Sequence, residues 1–280
     1  LAIDKNLIQR SIAGLVFLAI MISCICINHQ TLSGLFMCLA LLGSYEFVSL
    51  INTKINFKNG RFVALGFQAI LCLFVFSSLN YFPQTLFVLP FYLAFLALSF
   101  VTLFLIKAEN VQRIALVGAF MFSLIYVFLP FLVLTLIGFI NNDNGVNFIV
   151  LYFFILIWVN DTMAYVTGRL MGKHKLAETI SPKKTIEGFV GGIVFTTVAS
   201  IIAGMYWENE FENPIMFWVA PLAVGVFGTI GDLFESSIKR WVGVKDSGNI
   251  IPGHGGILDR FDGALLAIWP YTALLLLLNR

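Results

Sequence analysis

Residues 147–169 read NFIVLYFFILIWVNDTMAYVTGR. A membrane-spanning helix needs about 20 largely apolar residues, and 147–168 supply one, with the carboxylate of Asp161 inside it. Working outward, the same signal returns at 11–28, 34–50, 61–80, 86–106, 114–139, 187–206, 215–236 and 261–278. These runs predict an all-α, polytopic membrane protein with about nine transmembrane helices. Composition agrees, because 59% of the 280 residues are hydrophobic and only 11% are charged. Soluble domains average about 45–50% and about 25%. Cys24, Cys26, Cys38 and Cys72 all lie in apolar runs without zinc-ligand spacing, so they read as small buried hydrophobes.

Charge placement tests the span count. With a cytoplasmic N-terminus, sixteen of the seventeen basic residues fall on one side and only Arg280 on the other. The opposite loops carry Asp143 and the acidic stretch Glu208, Glu210 and Glu212. Such a split follows the positive-inside rule. Lys5 and Arg10 precede the first run, but no small-x-small cleavage site follows it cleanly. A retained span is expected there rather than a cleaved leader. No internal repeat stands out, which argues against an inverted-repeat transporter.

The spans also carry acids: Glu46, Asp161, Asp232 and Glu235, with Asp259 and Asp262 at the start of the last helix. A charge in a span costs roughly 2.5–3.5 kcal/mol on insertion scales. Glu46, near a cytoplasmic end, reads as a structural or snorkelling charge. Asp232 and Glu235 share a helix face at i, i+3, and Ser236 and Lys239 continue it. Asp259 and Asp262 repeat the spacing. Two such acidic edges at one membrane mouth predict a hard-oxygen site for Mg²⁺.

Two basic stretches complement the acids. Ser181-Pro182-Lys183-Lys184-Thr185 precedes a span, with Thr185 a candidate N-cap, and suits phosphate through hydroxyls, ammonium groups and free helix N–H donors. The block from Lys239 to Gly263 alternates cations, glycines and carboxylates. That alternation suits a nucleotide triphosphate with bound metal. The spacing is not that of a P-loop, GxxxxGK[ST].

The block resembles the signature of the phosphatidate cytidylyltransferases, or CDP-diacylglycerol synthases. The resemblance rests on Ser236, Lys239-Arg240, Lys245-Asp246, Gly248, Ile251-Pro252, His254-Gly255-Gly256 and Asp259-Arg260-Phe261-Asp262, a stretch of 27 residues without a departure. Asn160-Asp161-Thr162, Ala164-Tyr165, Gly168-Arg169, Ser181 to Gly188 and Gly231-Asp232 are similar to that family's upstream motifs. Residues 1–150 resemble it only in hydrophobicity.

The resemblance implies that CTP and phosphatidate give CDP-diacylglycerol and pyrophosphate. It implies a homodimer and a metal pair, Mg²⁺ with K⁺, on acids matching Asp232 and Asp259. On this reading Asp262, Glu235 and Asp161 are outer metal ligands. Ser181, Lys183, Lys184 and Thr185 hold CTP phosphates. Lys239, Arg240, Lys245 and Arg260 share the phosphatidate and pyrophosphate charge, and His254, Gly255 and Gly256 line the nucleotide pocket. Residues 1–150 would serve packing, dimer contacts and lipid access, and 151–280 the catalysis. The setting expected is a bacterial inner membrane with a cytoplasmic site, phosphatidate arriving from the inner leaflet. No nucleic-acid partner is expected. A CTP-dependent polyprenol or dolichol kinase is the alternative enzyme. A cation transporter is the alternative class, disfavoured because the polar residues gather at one membrane face.

Overall fold

A backbone in lipid must satisfy its polar groups internally, so long apolar runs form helices. The computed structural model describes residues 5–55, 60–81, 110–140, 146–207, 210–251 and 255–278. Helix α1 spans Lys5–Ile27, α2 His29–Ile55, α3 Gly60–Tyr81, α4 Asn110–Ser123 and α5 Leu129–Ile140. Helix α6 spans Phe148–Met171, α7 Ile186–Trp207, α8 Met216–Val242 and α9 Leu258–Leu278. Among the described residues, 6 helical stretches are long and apolar enough to cross a membrane: His29–Lys54, Val117–Phe139, Phe148–Met171, Ile186–Trp207, Met216–Val242 and Leu258–Leu278. Shorter apolar stretches, Ile12–Ile27 and Gln68–Ser77, lie within two further predicted spans, 11–28 and 61–80. The predicted span 86–106 lies outside the described residues. Val190, Val194, Val198, Ile202 and Met205 of α7 are exposed, as lipid-facing side chains are. The chain is an integral membrane protein.

One departure from the helical expectation bears on the site. Ser181–Thr185 was predicted as the approach to a helix. It does lead directly into α7, but as strand β2, antiparallel to β1, Lys175–Ala177, with Lys175 opposite Thr185 and Ala177 opposite Ser181. The expected cap survives this change, since Thr185 Oγ1 accepts the Gly188 N–H at 3.1 Å. Among the cysteines, Cys72 is buried as expected, but Cys38 is exposed.

Among the described residues, two compact units interleave along the chain. One comprises Leu1–Cys24, Gln30–Thr135 and Asp246–Leu258, the other Ile25–His29, Leu136–Lys245 and Asp259–Arg280. In the first unit, Phe47 stacks on Phe122 with ring centroids 5.4 Å apart. Gln68 Nε2 donates to Ser123 Oγ at 2.8 Å. A π turn, Leu124–Phe128, follows α4, and the Leu129 N–H reaches back to the Leu124 carbonyl. Pro130, with no N–H to give, comes directly after it.

The second unit is built on a close α6–α7 pair. A Cβ on Gly188 would lie 2.7 Å from the Ala164 carbonyl oxygen, and one on Gly192 2.9 Å from Asn160 Oδ1. Small residues therefore set this spacing. Helix α8 crosses α9 by the same device: a Cβ on Gly231 would stand 2.5 Å from the Asp262 carbonyl oxygen. An aromatic cluster of Tyr152, Phe153, Phe211, Phe217 and Tyr271 fills the core away from the charged end. Its hydroxyls are satisfied, with Tyr271 donating to the Ile149 carbonyl at 2.7 Å and Tyr152 bonded to Ser200 Oγ at 2.5 Å. Gly243, at φ 90°, ends α8 in the left-handed conformation and returns its N–H to the Lys239 carbonyl at 3.0 Å. A side chain there would be strained.

Candidate active site

Helical spacing places Asp232, Glu235, Ser236 and Lys239 along one face of α8. Ser236 Oγ donates to Asp232 Oδ1 at 3.2 Å, and the Lys239 ammonium pairs with Glu235 one turn back. The first turn of α9 presents Asp259, which accepts from Lys239 Nζ at 2.6 Å. One buried ammonium thus bridges acids from two helices. The second lysine pair joins the hairpin to α8, with Lys184 of β2 meeting Asp232.

Glu187, in the first turn of α7, holds the base of the hairpin. Its carboxylate accepts the Lys173 N–H at 3.0 Å and the His174 N–H at 3.2 Å, and it pairs with His174 Nδ1 at 2.6 Å. The Ile186 N–H closes the same turn onto the His174 carbonyl at 2.9 Å. Fixing this base aims β2, and with it Lys183 and Lys184.

These elements enclose a cavity of about 730 Å³ within the second unit. Four carboxylates line it, those of Asp161, Asp232, Asp259 and Asp262, and so do Arg169, Lys175, Lys183 and Lys184. The hydroxyl residues Ser181 and Thr185 and the backbone at Gly168, Gly172 and Gly188 complete the polar wall, and Phe189 and Leu176 supply apolar surface. Acids and cations facing each other across one space can hold a polyphosphate and a divalent cation together.

The cavity gathers half of the sixteen residues singled out from sequence. Ser181, Lys183, Lys184, Thr185, Asp161, Asp232, Asp259 and Asp262 line it. Glu235 is 2% exposed and tied to Lys239. Arg240, Lys245 and Arg260 are exposed and do not line the cavity, and Arg240 Nη1 donates to the Val244 carbonyl at 3.1 Å. Gly255 and Gly256 belong to the first unit, where Gly255 takes φ 86° and its carbonyl accepts the Ile251 N–H at 3.0 Å. His254 lies outside the described residues. The sequence reading gave no chemical role to Arg169 or Lys175. Both had been absorbed into the count of cytoplasmic charge, and only the fold of α6 and β1 brings them to the cavity.

The donor set suits a hard divalent cation, since four carboxylates share one cavity. Lys184 and Lys239 act as their counter-ions. No group of three His, Cys, Asp or Glu among the described residues is gathered tightly enough to form a ligand set. The residues fit such an ion by chemistry, with Asp161, Asp232, Asp259 and Asp262 as the groups that would hold it.

The profile of the Cytidylyltransferase family matches residues 8–278. The chain belongs to this family. A phosphatidate cytidylyltransferase of Staphylococcus haemolyticus is 46% identical over 128 residues, which are 46% of this chain and 48% of the relative. One from Staphylococcus aureus is 47% identical over 128 residues, covering 46% and 48%. One from Staphylococcus saprophyticus is 38% identical over 174 residues, covering 62% and 65%. The chain thus spans about half the length of the first relatives it matches.

Proposed function

We propose that the protein transfers the cytidylyl group of CTP to phosphatidate, giving CDP-diacylglycerol and pyrophosphate for phospholipid synthesis. The observation that carries this reading is the cavity in which four carboxylates face four cations, in a chain of the Cytidylyltransferase family. Relatives named phosphatidate cytidylyltransferase support the choice of lipid substrate.

In the proposed reaction a phosphatidate phosphate oxygen forms a bond to the α-phosphorus of CTP. The bond from that phosphorus to the oxygen bridging to the β-phosphorus breaks, and pyrophosphate leaves. The attacking oxygen is already anionic near pH 7, so no strong base is required. The barrier lies in bringing several negative charges together, and the protein must offset it. Lys183 and Lys184, with Ser181 and Thr185, hold the CTP phosphates. Arg169 and Lys175 line the same cavity and share that charge, while Arg240, Lys245 and Arg260, outside the lining, would meet the phosphatidate and pyrophosphate charge only on approach. Lys239 keeps Asp259 in place. Mg²⁺ bound by Asp232, Asp259, Asp262 and Asp161, with K⁺ as a second cation, would screen the phosphates and stabilise the leaving group.

The setting follows from charge. Nine spans with a cytoplasmic N-terminus put the basic loops, and this cavity, on the side where CTP is available. The protein then works as a homodimer in a bacterial inner membrane, taking phosphatidate laterally from the inner leaflet.

The test uses purified protein in detergent with phosphatidate and CTP labelled at the α-phosphorus. Label is expected in the extracted lipid. Lipid labelling from γ-labelled CTP instead would identify a lipid kinase. Cation flux in liposomes without CTP would favour a transporter.

A further inference from the structure

Glu46 of α2 is 3% exposed, far too buried for a snorkelling charge. Burying a carboxylate costs several kcal/mol unless hydrogen bonds compensate it. Here the partners come from the segment Asp246–Leu258. Glu46 Oε2 accepts the Leu258 N–H at 3.0 Å, and the buried Ser247 hydroxyl donates to the same oxygen at 3.4 Å. Gly248 and Gly256 run their backbones directly against the carboxylate. A Cβ on Gly248 would come within 2.8 Å of the carboxyl carbon, and one on Gly256 within 2.6 Å of Oε1. All five residues belong to the first unit.

Leu258 is the first residue of α9, whose opening N–H groups have no partner within the helix. Asp259 is the next residue in the chain. Whatever fixes the Leu258 amide therefore fixes the start of the backbone that carries Asp259. An apolar side chain at position 46 would fill space but accept nothing.

We propose that Glu46 is a positioning residue for the cytidylyl transfer: its buried carboxylate holds Ser247, Gly248, Gly256 and Leu258 against α2 and sets the start of α9. The inference rests on the proposed function. Glu46 touches no substrate in this role and acts through Leu258 and the two glycines.

Two measurements test it on the full chain in detergent: hydrogen–deuterium exchange by mass spectrometry, and steady-state CTP turnover. In Glu46→Ala, exchange at Leu258 should rise about tenfold, as for one lost charge-assisted hydrogen bond, with α6 to α8 unchanged. The kcat should fall about 100-fold, as for a misplacement near 1 Å, while KM for CTP stays within about twofold. Glu46→Gln retains an acceptor oxygen and should recover most of both. Gly256→Ala reaches the carboxylate from the other side and should reproduce the Glu46→Ala pattern. Unchanged exchange and kcat in Glu46→Ala would overturn the inference. So would a raised KM at unchanged kcat, or exchange raised across every helix in both Glu46→Ala and Gly256→Ala. Absence of CTP turnover in the wild-type protein would sink the function instead.

Discussion

Removing the Lys239 ammonium should cost far more stability than removing that of Lys184. The Lys239 side chain is 10% exposed, and its partners Glu235 and Asp259 are 2% and 8% exposed. In Lys239→Ala both carboxylates stay buried while the ammonium between them is lost. Breaking a buried pair from one side costs about 3–5 kcal/mol. Lys184 and Asp232 are 27% and 33% exposed, so water can take over when Lys184→Ala breaks that pair. Exposed pairs contribute about 0–1 kcal/mol. The assay is SDS titration in mixed micelles, read by tryptophan fluorescence, on the two variants and wild type. The triple variant Lys239→Met, Glu235→Gln, Asp259→Asn removes all three charges and should recover most of the loss, since apolar or neutral replacement of a buried ion cluster is often tolerated. A Lys239→Ala variant within about 1 kcal/mol of wild type would refute the reasoning. Equal losses in Lys239→Ala and Lys184→Ala would refute it as well.

Lys184→Ala should raise KM for CTP about tenfold, the effect of one lost charged hydrogen bond, and leave KM for phosphatidate little changed; two-substrate kinetics separates the outcomes. Gly231→Ala should destabilise by about 1–3 kcal/mol, because its Cβ meets the Asp262 carbonyl at 2.5 Å and α8 must shift. Gly228→Ala, whose nearest neighbour is Ile157 Cδ1 at 3.6 Å, is the control and should be near wild type in the same titration. Glu187→Ala should loosen the hairpin base, seen as faster amide exchange at Lys173 and His174 and a raised KM for CTP, with Glu187→Gln closer to wild type. Chelation of divalent cations should abolish CTP turnover, and Mg²⁺ should restore it where K⁺ alone does not.

Much of this arrangement is legible in the amino-acid sequence. The apolar run at 147–168 is too long and too unbroken for anything but a span, and α6 covers it. Spacing at i, i+3 and i, i+4 put Asp232, Glu235, Ser236 and Lys239 on one face, and the helix realises those pairs. Thr185 read as an N-cap because its hydroxyl can serve N3, and it does. The hairpin was not legible: three residues of β1 carry no alternation, and Lys-Lys in β2 looks like any basic loop. Lys239 read as a phosphate ligand because a sequence shows charge but not burial. Its bridge to Asp259 depends on how α8 crosses α9, and that crossing is set by Gly231 through a backbone contact that periodicity does not encode. Glu46 has the structural role expected of it, but how it fills that role is not legible, for a related reason. Its partners lie about 200 residues away, at separations of 201 and 212 positions, so no local pattern could connect them.

Burial also divides two lysines that the sequence presents as equals. An ammonium held between Glu235 and Asp259 has most of its charge already neutralised, and reaching a phosphate would require it to give up its pairs with both buried carboxylates. Giving up two buried pairs costs several kcal/mol, more than one charged hydrogen bond returns, about 1.5–3 kcal/mol. Lys239 is therefore suited to holding α8 and α9 in register rather than to exchanging partners. Lys184 sits in the opposite regime. Its carboxylate partner Asp232 is about one-third exposed, the pair is weak, and the side chain lines the cavity. Moving it from Asp232 to an incoming phosphate exchanges one anion for another at little cost. The hairpin lysine can thus serve the substrate without destabilising the fold, because its pair is the solvated one.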